Sequence, residues 1–135
     1  MIDFQTWRET PPSYRGRPSH AHNRLISSVQ MTPAERRRVA DAVGEKLKLA
    51  TGPSVFLLPV HGIEEWDRPG QVSHDPEGVA EFVDALRGSI TAPTELQELS
   101  CHINDPEFVQ AALAVFDRWV REGRVPPGAV VGAQS

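Results

Sequence analysis

Ser54-Val55-Phe56-Leu57-Leu58-Pro59-Val60 is a continuous apolar run without a charged residue. Side chains of a strand alternate between two faces, so a strand that is apolar at every position is covered on both. Such strands are usually parallel, and parallel strands need helical crossovers on either side of them. The run thus predicts flanking helices, and both flanks carry the signals of one.

Upstream, Thr32-Pro33-Ala34-Glu35 opens a helix: Thr32 is a good N-cap, Pro33 suits the first helical position and Glu35 completes a capping box. Val39, Val43 and Leu47 recur on one face of it, and Gly52-Pro53 ends it. Before that helix, the alternation from Arg24 to Met31 predicts a first strand. Downstream, a loop from His61 to His74 leads to Asp75-Pro76-Glu77, which opens a second helix with Val79, Phe82, Val83 and Leu86 inward and Gly88 at its end. Thr94 to Ser100 predicts a third strand. Asn104-Asp105-Pro106-Glu107 opens a third helix carrying Phe108, Ala112, Val115, Phe116 and Trp119. The order β-α-β-α-β-α and the right-handed crossover rule give an α/β fold, an open parallel sheet with helices on both faces, a Rossmann-like three-layer half-module. The expected organisation is an irregular arm over 1–24 with a short strand at Ile2–Phe4, an α/β subdomain over 25–123 and a loose tail over 124–135.

The length of 135 residues suits one domain with a real core. A net charge of -4, with Arg36-Arg37-Arg38 as the longest basic block and a solvated helix face to explain it, argues against a nucleic-acid polymer as partner. Cys101 is the single cysteine, so neither an intramolecular disulfide nor a cysteine-based zinc site is available. No stretch approaches the roughly 18–20 apolar residues of a membrane span, and residues 1–20 lack a signal-peptide core, so a soluble cytoplasmic protein is expected.

In open α/β sheets ligands bind beyond the C-terminal ends of the strands, where helices begin. His61 and Gly62 follow the second strand, and His102, Asn104 and Asp105 follow the third, so these residues are cleft candidates together with Asp67, Pro69 and Gly70 of the loop. Glu64, Glu65 and Trp66 overhang the same crevice. His20, His22, His61, His102 and Asp105 are suitable metal-ligand types, but their spacing matches no helical HExxH pattern and no metal site is assigned. Cys101 with His61 is a candidate nucleophile pair, set against a small core thiol as the plainer explanation. There is no GxSxG elbow, GxxxxGK[ST] loop or GxGxxG turn.

Arg15-Gly16-Arg17 with His22-Asn23, the loop containing Asp67-Arg68-Pro69-Gly70, Asp75-Pro76-Glu77, and His102-Ile103-Asn104-Asp105-Pro106-Glu107-Phe108 together resemble the Tm-one-like ATP-binding family over roughly residues 1–120. The resemblance implies a module of two α/β subdomains, of which this chain is similar to the second, so that its start looks like the middle of a longer protein. It implies nucleotide binding by the whole module, ATP with Mg as the cofactor, and principal ATP contacts in the first subdomain. It makes Arg15, Gly16, Arg17, His22 and Asn23 loop-organising candidates, and a complementary first subdomain or a homo-oligomer the expected partner. The chain departs from the family pattern at His61-Gly62 and at Ser100-Cys101, where an acidic residue and a small residue are usual. The family supplies no settled reaction, and none is assigned. A non-catalytic structural or oligomerisation role is the alternative, and a metal-dependent hydrolase the minor one.

Overall fold

The computed structural model describes residues 1–5 and 8–125. Its elements are β1 (Ile2–Gln5), β2 (Ser19–Ala21), β3 (Ile26–Val29), α1 (Pro33–Leu47), β4 (Val55–Pro59), α2 (Pro76–Ser89), β5 (Glu95–Leu99) and α3 (Pro106–Arg121), with 3-10 turns at Pro12–Tyr14 and Glu65–Asp67. β4 and β5 pair in parallel, from Val55 opposite Glu95 to Pro59 opposite Leu99. This is the α/β arrangement expected from the apolar run. Phe56, Leu58 and Val60 point to the face covered by α1 and α2, while α3 packs on β4 from the other side.

One expectation fails. The first predicted strand, β3, does not join the parallel sheet but forms the centre of an antiparallel one ordered β1-β3-β2. The cause is local. The Asn23 side chain accepts hydrogen bonds from the Leu25 and Ile26 N–H groups at 2.7 and 2.9 Å, reversing the chain between β2 and β3. Strands joined so closely can pair only antiparallel. The arm over 1–24 therefore supplies two strands, β1 and β2, where one short strand was expected.

The core is built from Ala40, Leu58, Val83, Ala85, Leu86 and Ile90. The α2 stripe matches the predicted one, although α2 runs through Gly88 to Ser89. In α1 the stripe is rotated: Ala40 is fully buried and Val39 is 40% exposed, because a small residue serves where α1 packs against α2. Thr32 and Glu35 form the predicted capping box. In α3, Phe108, Val115 and Trp119 are half-buried, whereas Ala112 and Phe116, expected inside, are exposed. Of the predicted tail over 124–135, residues 126–135 lie outside the described residues. Among the described residues, no helix is long and apolar enough to cross a membrane.

Candidate strand-end site

The segment after β5 turns sharply and locks onto the loop after β4. His102, 2% exposed, is the hub. Its Nε2–H points at two acceptors, the Glu64 carbonyl and Asp67 Oδ1, both at 3.0 Å, and its Nδ1 accepts the Asn104 N–H at 3.1 Å. Only the neutral ring with the proton on Nε2 satisfies all three. Asp67 Oδ2 accepts the Ile63 and Glu64 N–H groups at 2.7 and 3.1 Å. Both carboxylate oxygens of this buried residue are thus engaged. Gly62 threads between the two side chains at φ +140°, and a Cβ there would collide with Asp67 Oδ1 and the His102 ring.

A second, more exposed layer repeats the idea. Asp105 accepts the His102 N–H at 2.8 Å and the Arg68 guanidinium at 3.0 Å, and these two donors hold its carboxyl below the usual range. Glu65 accepts Asn104 Nδ2 and Arg68 Nε, both at 3.0 Å, and these donors lower its carboxyl likewise. Asp105 starts α3 but spends its side chain here and not on the helix's own N–H groups.

Beside this network lies a cavity of about 210 Å³. It sits beyond the ends of β3 and β4 and against the first turns of α1 and α2. Met31, Val39, Ile63, Val79 and Phe82 form its apolar wall, and Gln30, Arg36, Glu64 and Ser73 supply polar atoms. Arg36 and Gln30 both donate to Asp75 Oδ2 at 2.7 Å, while Asp75 Oδ1 caps Gly78 N–H at 3.0 Å. Burial pushes the Asp75 carboxyl up, but the Gly78 N–H and Arg36 outweigh it, and the carboxyl ends below its ordinary value. Glu64 is the exception. Among the described residues no side chain donates a hydrogen bond to its carboxylate, its one salt-bridge partner is the Met1 ammonium at 3.8 Å, and burial raises its pKa. On the far side of Met31 and Val39 a shallower groove of about 460 Å³ runs along α1.

Of the cleft candidates, only Asp67 lines the cavity. His102, Asn104 and Asp105 build the network, Gly62 is buried within it, and His61, Pro69 and Gly70 are exposed. Arg17 clamps the arm to α1, donating to the Gln30 carbonyl and pairing with Glu35 at 2.6 Å. Among the described residues Arg15 makes only an exposed pair with Glu9 at 3.7 Å, and Gly16 turns the chain between the two arginines. Asn23 shapes the β2–β3 turn, and the His20 and His22 rings lie 4.6 and 5.2 Å from Trp66. The metal-ligand set does not converge: among the described residues no three His, Cys, Asp or Glu side chains assemble for an ion. Cys101 is buried, and desolvation pushes its thiol up, the wrong direction for a nucleophile. The sequence reading missed Gln30, Arg36, Ser73 and Gly78. Arg36 is not part of a solvated face, since its side chain is 13% exposed and paired with Asp75. The available signal was Gly78 in the first turn of α2: a Cβ there would overlap the Arg36 guanidinium.

The fold is that of an α/β domain with a cavity at its strand ends. The chain belongs to the uncharacterised protein family UPF0261, whose C-terminal domain matches residues 1–120. It is 48% identical over 130 residues to a UPF0261 protein of Brucella melitensis, covering 96% of this chain and 31% of that protein. A UPF0261 protein of Rhizobium meliloti is 32% identical, with 86% and 30% covered. The ToMV resistance protein Tm-1 of Solanum lycopersicum is 30% identical, with 86% of this chain and 16% of that protein covered. The chain spans less than a third of the length of each of these relatives.

Proposed function

We propose that this chain is the second half of a nucleotide-binding module, supplying one wall of the site and relying on a complementary α/β subdomain for the rest. The cavity carries the reading. It lies where open α/β sheets bind ligands, and at about 210 Å³ it is smaller than the roughly 300–1,000 Å³ of pockets that enclose a whole drug-sized ligand. It suits one fragment of a nucleotide, a base or a sugar, against Phe82 and Val79 with a donor aimed at Glu64. It does not suit the phosphates: Glu64 and Asp67 line it with one Arg36, whose guanidinium is already paired with Asp75, and the Thr32 and Asp75 side chains already occupy the starts of α1 and α2. The phosphates, with any Mg²⁺, belong to the other subdomain. No reaction is assigned to this half.

Isothermal titration with ATP and Mg²⁺ tests the reading, first on the chain alone and then on its mixture with the first subdomain. Heat is expected only from the mixture. Heat from the chain alone would place a complete site here, and silence in both experiments favours the alternative, a structural or oligomerisation role. That alternative has its own support in His102, Asp67 and Asp105, whose hydrogen bonds are all made within the loops.

A further inference from the structure

Among the described residues the parallel sheet has two strands, and each has one open edge. The edges are not alike. β5 (Glu95–Leu99) has the composition of a natural edge, with Glu95 paired to Arg118 at 2.8 Å and Glu98 to Arg87 at 2.6 Å. β4 has no charge at all and is the kind of strand found inside sheets. The Glu95 N–H donates to the Ser54 carbonyl and the Val60 N–H to the Leu99 carbonyl, so the even-numbered peptide groups of β4 face β5. By alternation, the N–H groups of Val55 and Leu57 and the carbonyls of Val55, Leu57 and Pro59 face outward. Pro59 offers no N–H, so an added ladder ends its donors at Leu57.

The helix packed on β4 is unfinished in the same way. Val109, Leu113, Phe116 and Val120 of α3 recur at helical spacing and are 54%, 57%, 50% and 48% exposed. We propose that the open edge of β4 and this outer stripe of α3 receive a β-strand running parallel to β4, with its crossover helix, from the part of the protein that the relatives carry beyond this segment. This rests on the half-module reading and names its docking face. The occupant follows from the arrangement. A parallel strand must come with a helix, α3 lies where that helix would pack, and the Brucella melitensis relative has more than two-thirds of its length outside the match. A second copy would bring its own β4 across a two-fold axis antiparallel, and its other open edge strands, β1 and β2, carry no crossover helix, so it supplies no parallel strand of this kind.

Residue-resolved hydrogen exchange on this chain and on the intact Brucella melitensis relative tests the proposal. In this chain the Val55 and Leu57 amides are expected to exchange about 100-fold faster than those of Phe56 and Leu58. In the intact relative the aligned amides on both edges are expected to be protected alike, and fast outer-edge exchange there overturns the proposal. Protection in this chain that rises with concentration, as it dimerises, makes a second copy the occupant and overturns it equally. A double variant, Leu113→Asp with Phe116→Asp, changes only half-exposed side chains. It is expected to melt like the parent yet capture the co-expressed remainder of the relative about 10-fold less. Unchanged capture removes α3 from the face. No nucleotide is present in these assays, so assembly without ATP binding would sink the nucleotide reading alone, and ATP binding without outer-edge protection would sink the docking face alone.

Discussion

Replacing His102 with alanine removes three hydrogen bonds from a fully buried place. The Asp67 carboxylate loses its ring donor, the Glu64 carbonyl loses its share of that donor, and the Asn104 N–H loses its acceptor. A hydrogen bond to a charged group contributes about 1.5–3 kcal/mol and a neutral one about 1 kcal/mol, so the variant should lose about 3–4 kcal/mol. That is a large part of the ~5–15 kcal/mol by which domains are stable. Urea unfolding followed by circular dichroism reads it directly: with a slope of about 1.5 kcal/mol/M, the midpoint falls by about 2 M. His102→Gln is the control, since its terminal amide reaches the position of the ring Nε2 and donates to Asp67 without serving Asn104. It should recover about half of the loss. A loss below about 0.5 kcal/mol in the alanine variant, or a glutamine variant equally damaged, would refute the hub assignment.

Gly62→Ala should cost at least about 2 kcal/mol in the same assay, from backbone strain at φ +140° and from the collision with Asp67 and His102; a neutral substitution would contradict that geometry. Glu35 is lowered from 4.5 to about 2, chiefly by the Arg17 side chain and then by the Thr32 N–H. A carboxyl depressed on folding adds stability that is present above its unfolded pKa and is lost as pH falls toward the folded one. Thermal melting between pH 4.5 and 2 should therefore fall less steeply in Glu35→Gln than in the parent. Glu64 has the opposite sign: burial raises its pKa, so its ionised form weighs against folding at neutral pH. Glu64→Gln should melt higher than the parent at pH 7, with the advantage fading as acid protonates the parent's carboxyl; a lower melting temperature at pH 7 would reject the desolvation account.

The elements legible in the sequence were those with local causes. The all-apolar β4, the Thr32–Glu35 capping box and the α2 stripe each follow from a few neighbouring residues, and each stands where it was expected. The membership of β3 was not legible by the same means. Alternation from Arg24 to Met31 predicts a strand but not its partner, and the partner was decided by one side chain, Asn23, reversing the chain just upstream. The rotated stripe of α1 follows from its contact with α2, a tertiary fact that helical spacing does not carry. Site residues divide similarly. His102, Asp105 and Asp67 are brought together because they follow or overhang adjacent parallel strands, whereas Arg36 reaches the cavity only through its pairing with Asp75, 39 positions away in sequence.

The network and the cavity are not independent devices. Asp67 accepts the N–H groups of Ile63 and Glu64, which are two of the residues that wall the cavity, and His102 holds both Asp67 and the Glu64 carbonyl. The side chains that hold the loop therefore also fix where the Glu64 carboxylate sits, and of the two Asp67 lines the cavity itself whereas His102 does not. A structural role for His102 and a binding role for the cavity are consequently compatible. The variants that separate them are those that change the cavity surface and spare the network. Glu64→Gln alters the one carboxylate there that receives no side-chain hydrogen bond among the described residues, and it leaves the backbone groups bound by His102 and Asp67 in place. If it weakens ligand binding by the assembled module while melting no lower than the parent, the cavity is the site and the network its frame. If binding follows stability alone across His102→Ala, Gly62→Ala and Glu64→Gln, the cavity is only a gap beside a structural hub.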